Sequence, residues 1–320
     1  MSGPLRLRHR VLEAIRRHRL WGPGRAVVVA VSGGRDSMVL LDVLVETRGV
    51  HGGVLSVWTV DHGQRPGSRE DATFVVEQAE ARGLEARVVV VAPTGADEAS
   101  LREARHEVFA RAQSAGAVVA LGHHRRDQAE TVLLQLLRGG GVRARRGMLP
   151  ERQGLVRPLL DEAPEALAAW AEARGLSWRE DPTNASREPL RNRVRHEVLP
   201  LLEATRAGAE RTLARGARLA ALDEDFLDRC AREIPLTVAA LRQAHPALVR
   251  RRLRIQWRSL GAGPLDGLMR AIEVGAGSVD IGGGRSLSVR DGCIRAGPVG
   301  GPSVVVTDFP SAPPGPEDLP

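Results

Sequence analysis

The chain has 320 residues, with 46 basic side chains against 39 acidic ones and a net charge of +7. All 46 are arginine, and lysine and tyrosine are absent. This excludes a Schiff-base lysine, a Walker-type loop ending in Gly-Lys-Ser/Thr and tyrosine acid–base chemistry.

The bias toward Arg, Ala, Gly and Val is compositional, so disfavoured residues that survive in a cluster carry information. Asparagine survives only at Asn184 and Asn192. With 42% hydrophobic and 27% charged residues, the chain can fold into one large or two ordinary domains, and its basic balance favours a polyanionic partner. Cys230 and Cys293 form no CxxC, so neither a disulfide framework nor a zinc site is signalled, and a reducing, cytoplasmic setting is expected. No run approaches the roughly 18 apolar residues of a membrane helix.

Leu5–Leu20 is an Arg-rich amphipathic stretch, read as a first helix that buries Leu5, Val11, Leu12 and Ile15. Four apolar runs follow, Ala26–Val31, Val54–Val60, Ala86–Val91 and Ala117–Leu121. Helical patterns alternate with them around Ser37–Thr47, Arg69–Arg82, Ser100–Ala115 and Asp127–Arg138. Continuous β-branched runs predict strands buried on both faces, and the alternation predicts a parallel sheet of right-handed βαβ units. Helices are expected at Pro164–Arg174 and Pro189–Ala204, then a long connector at Ala204–Glu233 and an Arg-rich helix at Leu236–Leu260. Short strands are read at Val279–Ile281, Ser286–Arg290 and Cys293–Arg295, and a largely disordered tail from Gly297. The fold class is α/β: a Rossmann-like domain over residues 1–208, a helical connector and basic α+β domain over 209–300, and a tail over 301–320.

Ligands of such sheets collect at the carboxyl ends of strands. SGGRDS (Ser32–Ser37) stands after the first strand, Asp61-His62-Gly63 after the second and Gly122-His123-His124 after the fourth. Gly33 and Gly34 let backbone N–H groups approach phosphate oxygens, Arg35 adds charge, Ser32 and Ser37 bring hydroxyls, and the helix start adds a favourable dipole. Asp36 is out of place beside phosphate unless magnesium lies between them, so it is the expected metal ligand. The alternative is a plain strand-to-helix turn capped by Asp36 or Ser37.

SGGRDS resembles the loop of the PP-loop ATP pyrophosphatases. VDHGQR (Val60–Arg65), GHHRRDQAETVLLQLLRG (Gly122–Gly139) and DPTN…RNRVR (Asp181–Arg195) are similar, in that order, to the motifs of the tRNA(Ile)-lysidine synthetase family. The likeness covers about Val27 to Leu202. It implies a PP-loop domain that uses ATP and Mg2+, adenylates C2 of the wobble cytidine of tRNA(Ile) with a CAU anticodon, and lets the amine of free L-lysine displace AMP. A PP-loop tRNA thiolase would need reactive or cluster-binding cysteines, and Cys230 and Cys293 lie outside the catalytic half.

The site residues expected on this basis are Ser32, Gly33, Gly34, Arg35, Asp36 and Ser37 for ATP, and Asp36, Asp61, His123 and Arg105 for catalysis. Asp127 and Glu130 share one helix face and are assigned to the lysine ammonium; their D-x-x-E spacing is also that of a capping box. Arg191 and Arg195, spaced by four, match RNxxR and are assigned to phosphate or tRNA. Arg143, Arg145 and Arg146 follow a glycine run read as a flexible loop, and Arg250, Arg251 and Arg254 lie on a basic helix read as a tRNA contact. His106 and Pro189 replace aromatic residues of the family pattern. A homodimer is compatible with the sequence, and no membrane partner is expected.

Overall fold

The computed structural model describes residues 3–61, 63, 67–91, 98–180, 190–258 and 260–306. The chain divides into two compact units, Met1–Ala221 and Leu222–Pro320. The expected boundary at residue 208 precedes helix α9 (Ala209–Arg232), whereas this division falls inside that helix.

In the first unit β1 (Ala26–Ala30), β2 (Val54–Asp61), β3 (Ala86–Val90) and β4 (Val118–Ala120) alternate with α2 (Arg35–His51), α3 (Ser68–Glu80) and α4 (Glu98–Ser114). They form a parallel sheet that a short hairpin, β5 (Glu151–Arg152) and β6 (Leu155–Val156), extends to the order β3-β2-β1-β4-β6-β5. The hairpin was not expected from the sequence. Only β6 runs parallel to β4, and β5 closes the edge antiparallel to it.

The valines of β1 are buried on both faces, as their unbroken apolar run predicts. β3 departs from that expectation. It is an edge strand, and Val88 and Val90 are exposed. One core packs α1 (Gly3–Arg17), α2 and α6 (Pro164–Ala173) around Val27, Val29, Leu40, Leu44, Leu159 and Leu167. On α1 the inward stripe includes Leu7, Val11 and Ile15, while the expected Leu12 is only half-buried and the side chain of Leu5 lies outside the described ones. Val28, Ala112, Val119 and Leu155 form a second, smaller core.

The third core positions the site. α5 (Arg125–Leu137) packs Ala129 and Leu133 against Val194, Leu199 and Leu202. These last residues belong to a run read in sequence as a single helix, which consists of α7 (Leu190–Arg193), a π turn over Val194–Val198 and α8 (Leu199–Thr205). Such π segments widen the spacing of side chains along a helix and recur at functional sites.

The second unit packs α10 (Val238–Gln243), α11 (Pro246–Gln256) and α12 (Ala262–Val274) on an antiparallel sheet of β7 (Gly277–Gly282), β8 (Arg285–Arg290), β9 (Cys293–Pro298) and β10 (Val304–Val305), in the order β10-β9-β8-β7. Its core holds Leu241, Leu253, Leu265, Leu268, Leu287 and Ile294. The expected single helix Leu236–Leu260 is broken at His245-Pro246, where the His245 Nδ1 accepts the Ala247 N–H at 3.2 Å and starts a new helix. β8 (Arg285–Arg290) and β9 (Cys293–Pro298) join through Asp291-Gly292, both at positive φ, the geometry of a tight hairpin. Order continues past the predicted onset of the tail, because β10 (Val304–Val305) pairs with β9.

Candidate functional site

The sheet order reverses beside β1, with β2 on one side and β4 on the other. At such a switch point the loops leaving neighbouring strands diverge and open a crevice. The two loops here are Ser32–Ser37 and Gly122–His124. They touch closely: a Cβ on Gly122 would lie 3.2 Å from the backbone of Asp36 and Ser37.

Within the first loop Gly33 takes φ +86°, a region that side chains disfavour, while Gly34 is the extended N-cap of α2 at φ −71°. Only one of the two glycines therefore uses its conformational freedom. The Ser37 hydroxyl donates to the Gly34 carbonyl at 2.8 Å and accepts the Ser32 N–H at 3.2 Å, closing the loop on itself. The N-cap of α2 is Gly34, which has no side chain to offer, so the first-turn N–H groups can receive an anion. The segment after α6 lies over the loop, with the Arg179 N–H donating to the Gly33 carbonyl at 2.9 Å.

Asp36 sits at the centre. Its Oδ1 accepts Arg35 Nε at 3.1 Å, and its Oδ2 is 3.3 Å from His124 Nε2. Burial would raise its pKa, but the His124 hydrogen bond and the charges of His124 and Arg35 outweigh burial and hold it below the usual carboxylate value. Among the described residues no group of three or more His, Cys, Asp or Glu side chains is placed to enclose a metal. Asp36 could supply one oxygen to a magnesium ion whose other ligands are phosphates and water, the usual arrangement for that ion.

His124 is buried and ties two carboxylates together. As N-cap of α5 its Nδ1 accepts the Arg126 N–H at 3.2 Å, which leaves Nε2 to carry the proton toward Asp36. Its backbone N–H donates to Asp127 Oδ2 at 2.9 Å. The capping box is therefore His124-x-x-Asp127, one turn earlier than the D-x-x-E spacing suggested. Burial lowers the His124 pKa, and the hydrogen bond to Asp36 with the charges of Asp127 and Asp36 raises it further than burial lowers it.

Beyond Asp127 lies Glu130, fully buried. Two arginines approach the pair from the α7–π segment. Arg191 donates from Nε to Glu130 Oε2 at 2.8 Å and from Nη2 to Asp127 Oδ1 at 3.1 Å. Arg195 donates from Nε to Glu130 Oε1 at 2.6 Å, and its Nη2 lies 3.1 Å from Glu130 Oε2 and 3.2 Å from Asp127 Oδ1. Sequence reading assigned the carboxylates to an amine and the arginines to phosphate; in this structure they are one another's partners. Burial would raise the Asp127 carboxyl, but His124, Arg191 and the His124 N–H hold it down to about 2.

The Nδ1 of His123 is buried with no hydrogen-bond partner among the described residues. Burial, aided by the charges of Arg157, Arg191 and Arg105 against that of Asp127, depresses it to about 3, so the ring is neutral. Arg105 is exposed on α4, and Asp61 ends β2 with Oδ1 accepting the Gly63 N–H at 2.9 Å. His62, Asn184, Arg187 and Pro189 lie outside the described residues.

The remaining arginines sort by burial. Arg143, Arg145 and Arg146 lie on a 3-10 turn, Val142–Arg146, and the chain just after it is clamped where Gln128 exchanges hydrogen bonds of 2.7 and 2.8 Å with Met148. The segment that follows the glycine run therefore has a defined turn. Arg143 and Arg145 stay exposed. In the second unit three arginines of the expected basic helix have partners within the fold. Arg251 is bound to Glu224 at 2.6 Å and Asp228 at 2.7 Å, Arg250 pairs with Asp266, and Arg252 is buried with Nε on the Ile234 carbonyl at 2.8 Å. Arg254 and Arg258 remain exposed on that element and its end.

A phosphate-shaped loop at the switch point of a parallel sheet defines a PP-loop α/β protein, and residues 7–202 match the PP-loop domain family. The fold is shared with the U34-tRNA thiolase NcsA of Methanococcus maripaludis, at a TM-score of 0.56 and 20% identity over 67% of this chain and 78% of that one. The chain belongs to the tRNA(Ile)-lysidine synthase family of PP-loop proteins: it is 41% identical to the tRNA(Ile)-lysidine synthase of Nocardia farcinica over 87% of its own length and 92% of that protein. It is 40% identical to the Deinococcus deserti enzyme over 85% of its length, and 41% to that of Salinispora arenicola over 74%. It spans about half, 52%, of the Deinococcus protein and 78% of the Salinispora one.

Proposed function

We propose that the protein ligates free L-lysine to C2 of the wobble cytidine of tRNA(Ile) bearing a CAU anticodon. In this reading ATP first adenylates the C2 oxygen with release of pyrophosphate, and the lysine amine then displaces AMP. The observation that carries it is the chain Asp36–His124–Asp127. It sets the phosphate loop and the Asp127/Glu130 pair one side chain apart, the separation that an adenylating site and an amine site need if they act on one carbon.

The chain's own residues divide the work. The open N–H groups of the α2 first turn receive phosphate oxygens, and the tight Ser32–Ser37 loop keeps them oriented before substrate arrives. Magnesium, when bound at Asp36, would offset the charge that develops on the departing pyrophosphate. Asp127 and Glu130 hold the ammonium end of lysine by charge. Arg105, Asp61 and the neutral His123 are the further residues assigned to catalysis in this reading. Exposed Arg143, Arg145 and Arg254 meet tRNA phosphates, a contact that weakens as salt rises. Cytoplasmic tRNA, ATP and lysine are the materials this chemistry requires.

The test uses purified protein, ATP with Mg2+, labelled lysine and unmodified tRNA(Ile) with a CAU anticodon. The expected result is ATP-dependent incorporation that disappears in Asp36→Ala. Pyrophosphate release without lysine transfer would overturn the assignment.

A further inference from the structure

The carboxylate pair proposed to hold the substrate ammonium is already saturated. Arg191 and Arg195 each bridge Asp127 and Glu130, and the remaining Asp127 oxygen accepts the His124 N–H. Two negative charges meet two guanidinium groups, and Glu130 has no exposure to water that could dilute a third cation. Adding an ammonium without removing a guanidinium would leave three cations on two buried carboxylates, an arrangement whose desolvation cost is not offset.

Which arginine leaves is legible from the bonds. Arg195 makes three contacts, the shortest at 2.6 Å, and stands on the π turn next to Val194, which is buried in the core beneath α5. Arg191 makes two contacts, at 2.8 and 3.1 Å, from the one-turn helix α7. Arg195 is the resident partner and Arg191 the weaker-held one.

A guanidinium that leaves two carboxylates needs another anion. The nearest place for one is the phosphate loop, reached through His124, whose Nε2 is 3.3 Å from Asp36 and whose Nδ1 is 3.5 Å from Asp127. We propose that Arg191 is an exchangeable occupant of the amine subsite: it closes the Asp127/Glu130 pair in the free protein and moves to phosphate once a nucleotide is bound, admitting the ammonium. Arg191 thereby orders the substrates, nucleotide first and amine second, and keeps free lysine out of a site that holds no nucleotide. This inference rests on the function proposed above and adds the order of addition to it.

The experiment measures L-lysine binding to the full chain by calorimetry, with and without a non-hydrolysable ATP analogue and Mg2+. Wild type binds lysine about tenfold or more tightly with the nucleotide than without it, the factor expected if the open subsite is populated about one part in ten in the free protein. Arg191→Gln binds lysine without nucleotide at the tighter affinity and loses the dependence. Arg191→Lys, which returns a cation to the same place, keeps it. Melting curves of both variants establish that they fold. Lysine affinity indifferent to nucleotide in wild type, or weakened in Arg191→Gln, overturns the ordering, as does an absence of lysine binding in every state. Failure of the parent reading is distinct: wild type would then transfer no lysine to tRNA at all.

Discussion

At the scale of single residues, the charges of the site make opposite demands on pH. Asp127 is depressed from 3.8 to about 2, so its contribution to stability is present above about pH 4 and lost as pH falls toward 2. That difference corresponds to roughly 2 kcal/mol. His124 is raised above 6.5, so its contribution is present in full below that value and declines as pH rises through the folded-state pKa. Urea denaturation from pH 2 to 9 should show both limbs. Asp127→Asn should flatten the acid limb and leave the alkaline one sloping; an unchanged acid limb would mean that the contacts of Asp127 with His124 and Arg191 add nothing to folding. The acidity of Asp36 was not legible in the sequence, because its main cause, His124, lies 88 positions away, whereas Asp127 owes much of its acidity to the neighbouring His124; the identity of Asp36 as the odd acid in a phosphate loop was legible.

At the scale of elements, the β1–α2 loop is the part most completely written in local sequence. A buried valine strand, two glycines and a helix start lie within a dozen residues, and each acts on its immediate neighbours. Even so, the two glycines are not equivalent. Gly33→Ala forces a side chain to φ +86° and should cost about 1–2 kcal/mol, while Gly34→Ala at φ −71° meets only the Ser32 hydroxyl at 3.6 Å and should be nearly neutral for stability. Thermal unfolding of the two variants distinguishes them, and equal losses would contradict the loop geometry. The element least legible was the run Leu190–Thr205. Its apolar spacing reads as one helix, and the π turn inside it answers to packing of Val194 and Leu199 against α5, which no local pattern encodes.

At the scale of the whole molecule, 46 arginines give the chain its basic character without saying which of them face a partner. In each unit burial makes the selection. Arg251 holds the buried Glu224, so Arg251→Gln should destabilise the second unit by about 3 kcal/mol while barely changing the salt dependence of tRNA binding. Arg254→Glu should do the reverse, leaving the melting temperature in place and lowering both affinity and the slope of binding against salt. Filter binding across a salt series with parallel melting curves tests the pair. Loss of the salt slope in Arg251→Gln without loss of stability would return that residue to the tRNA-facing set.

Sequence by itself determined the alternating α/β order, the phosphate loop, and the positions of Asp36, Asp127 and Glu130. Those features depend on period, turn chemistry and short motifs, all of which act over a few residues. Tertiary structure decided who partners whom. Arg191 and Arg195 lie 61 to 68 positions from the carboxylates they bind, and His124 joins two loops that meet only because the sheet order reverses beside β1. The arginines, first met as a matter of composition, differ once folded: Arg191, Arg195 and Arg251 are bound to buried acids, whereas Arg143, Arg145 and Arg254 stay exposed. The division follows from the cost of burying an unpaired charge, which only the folded chain can assign to particular residues.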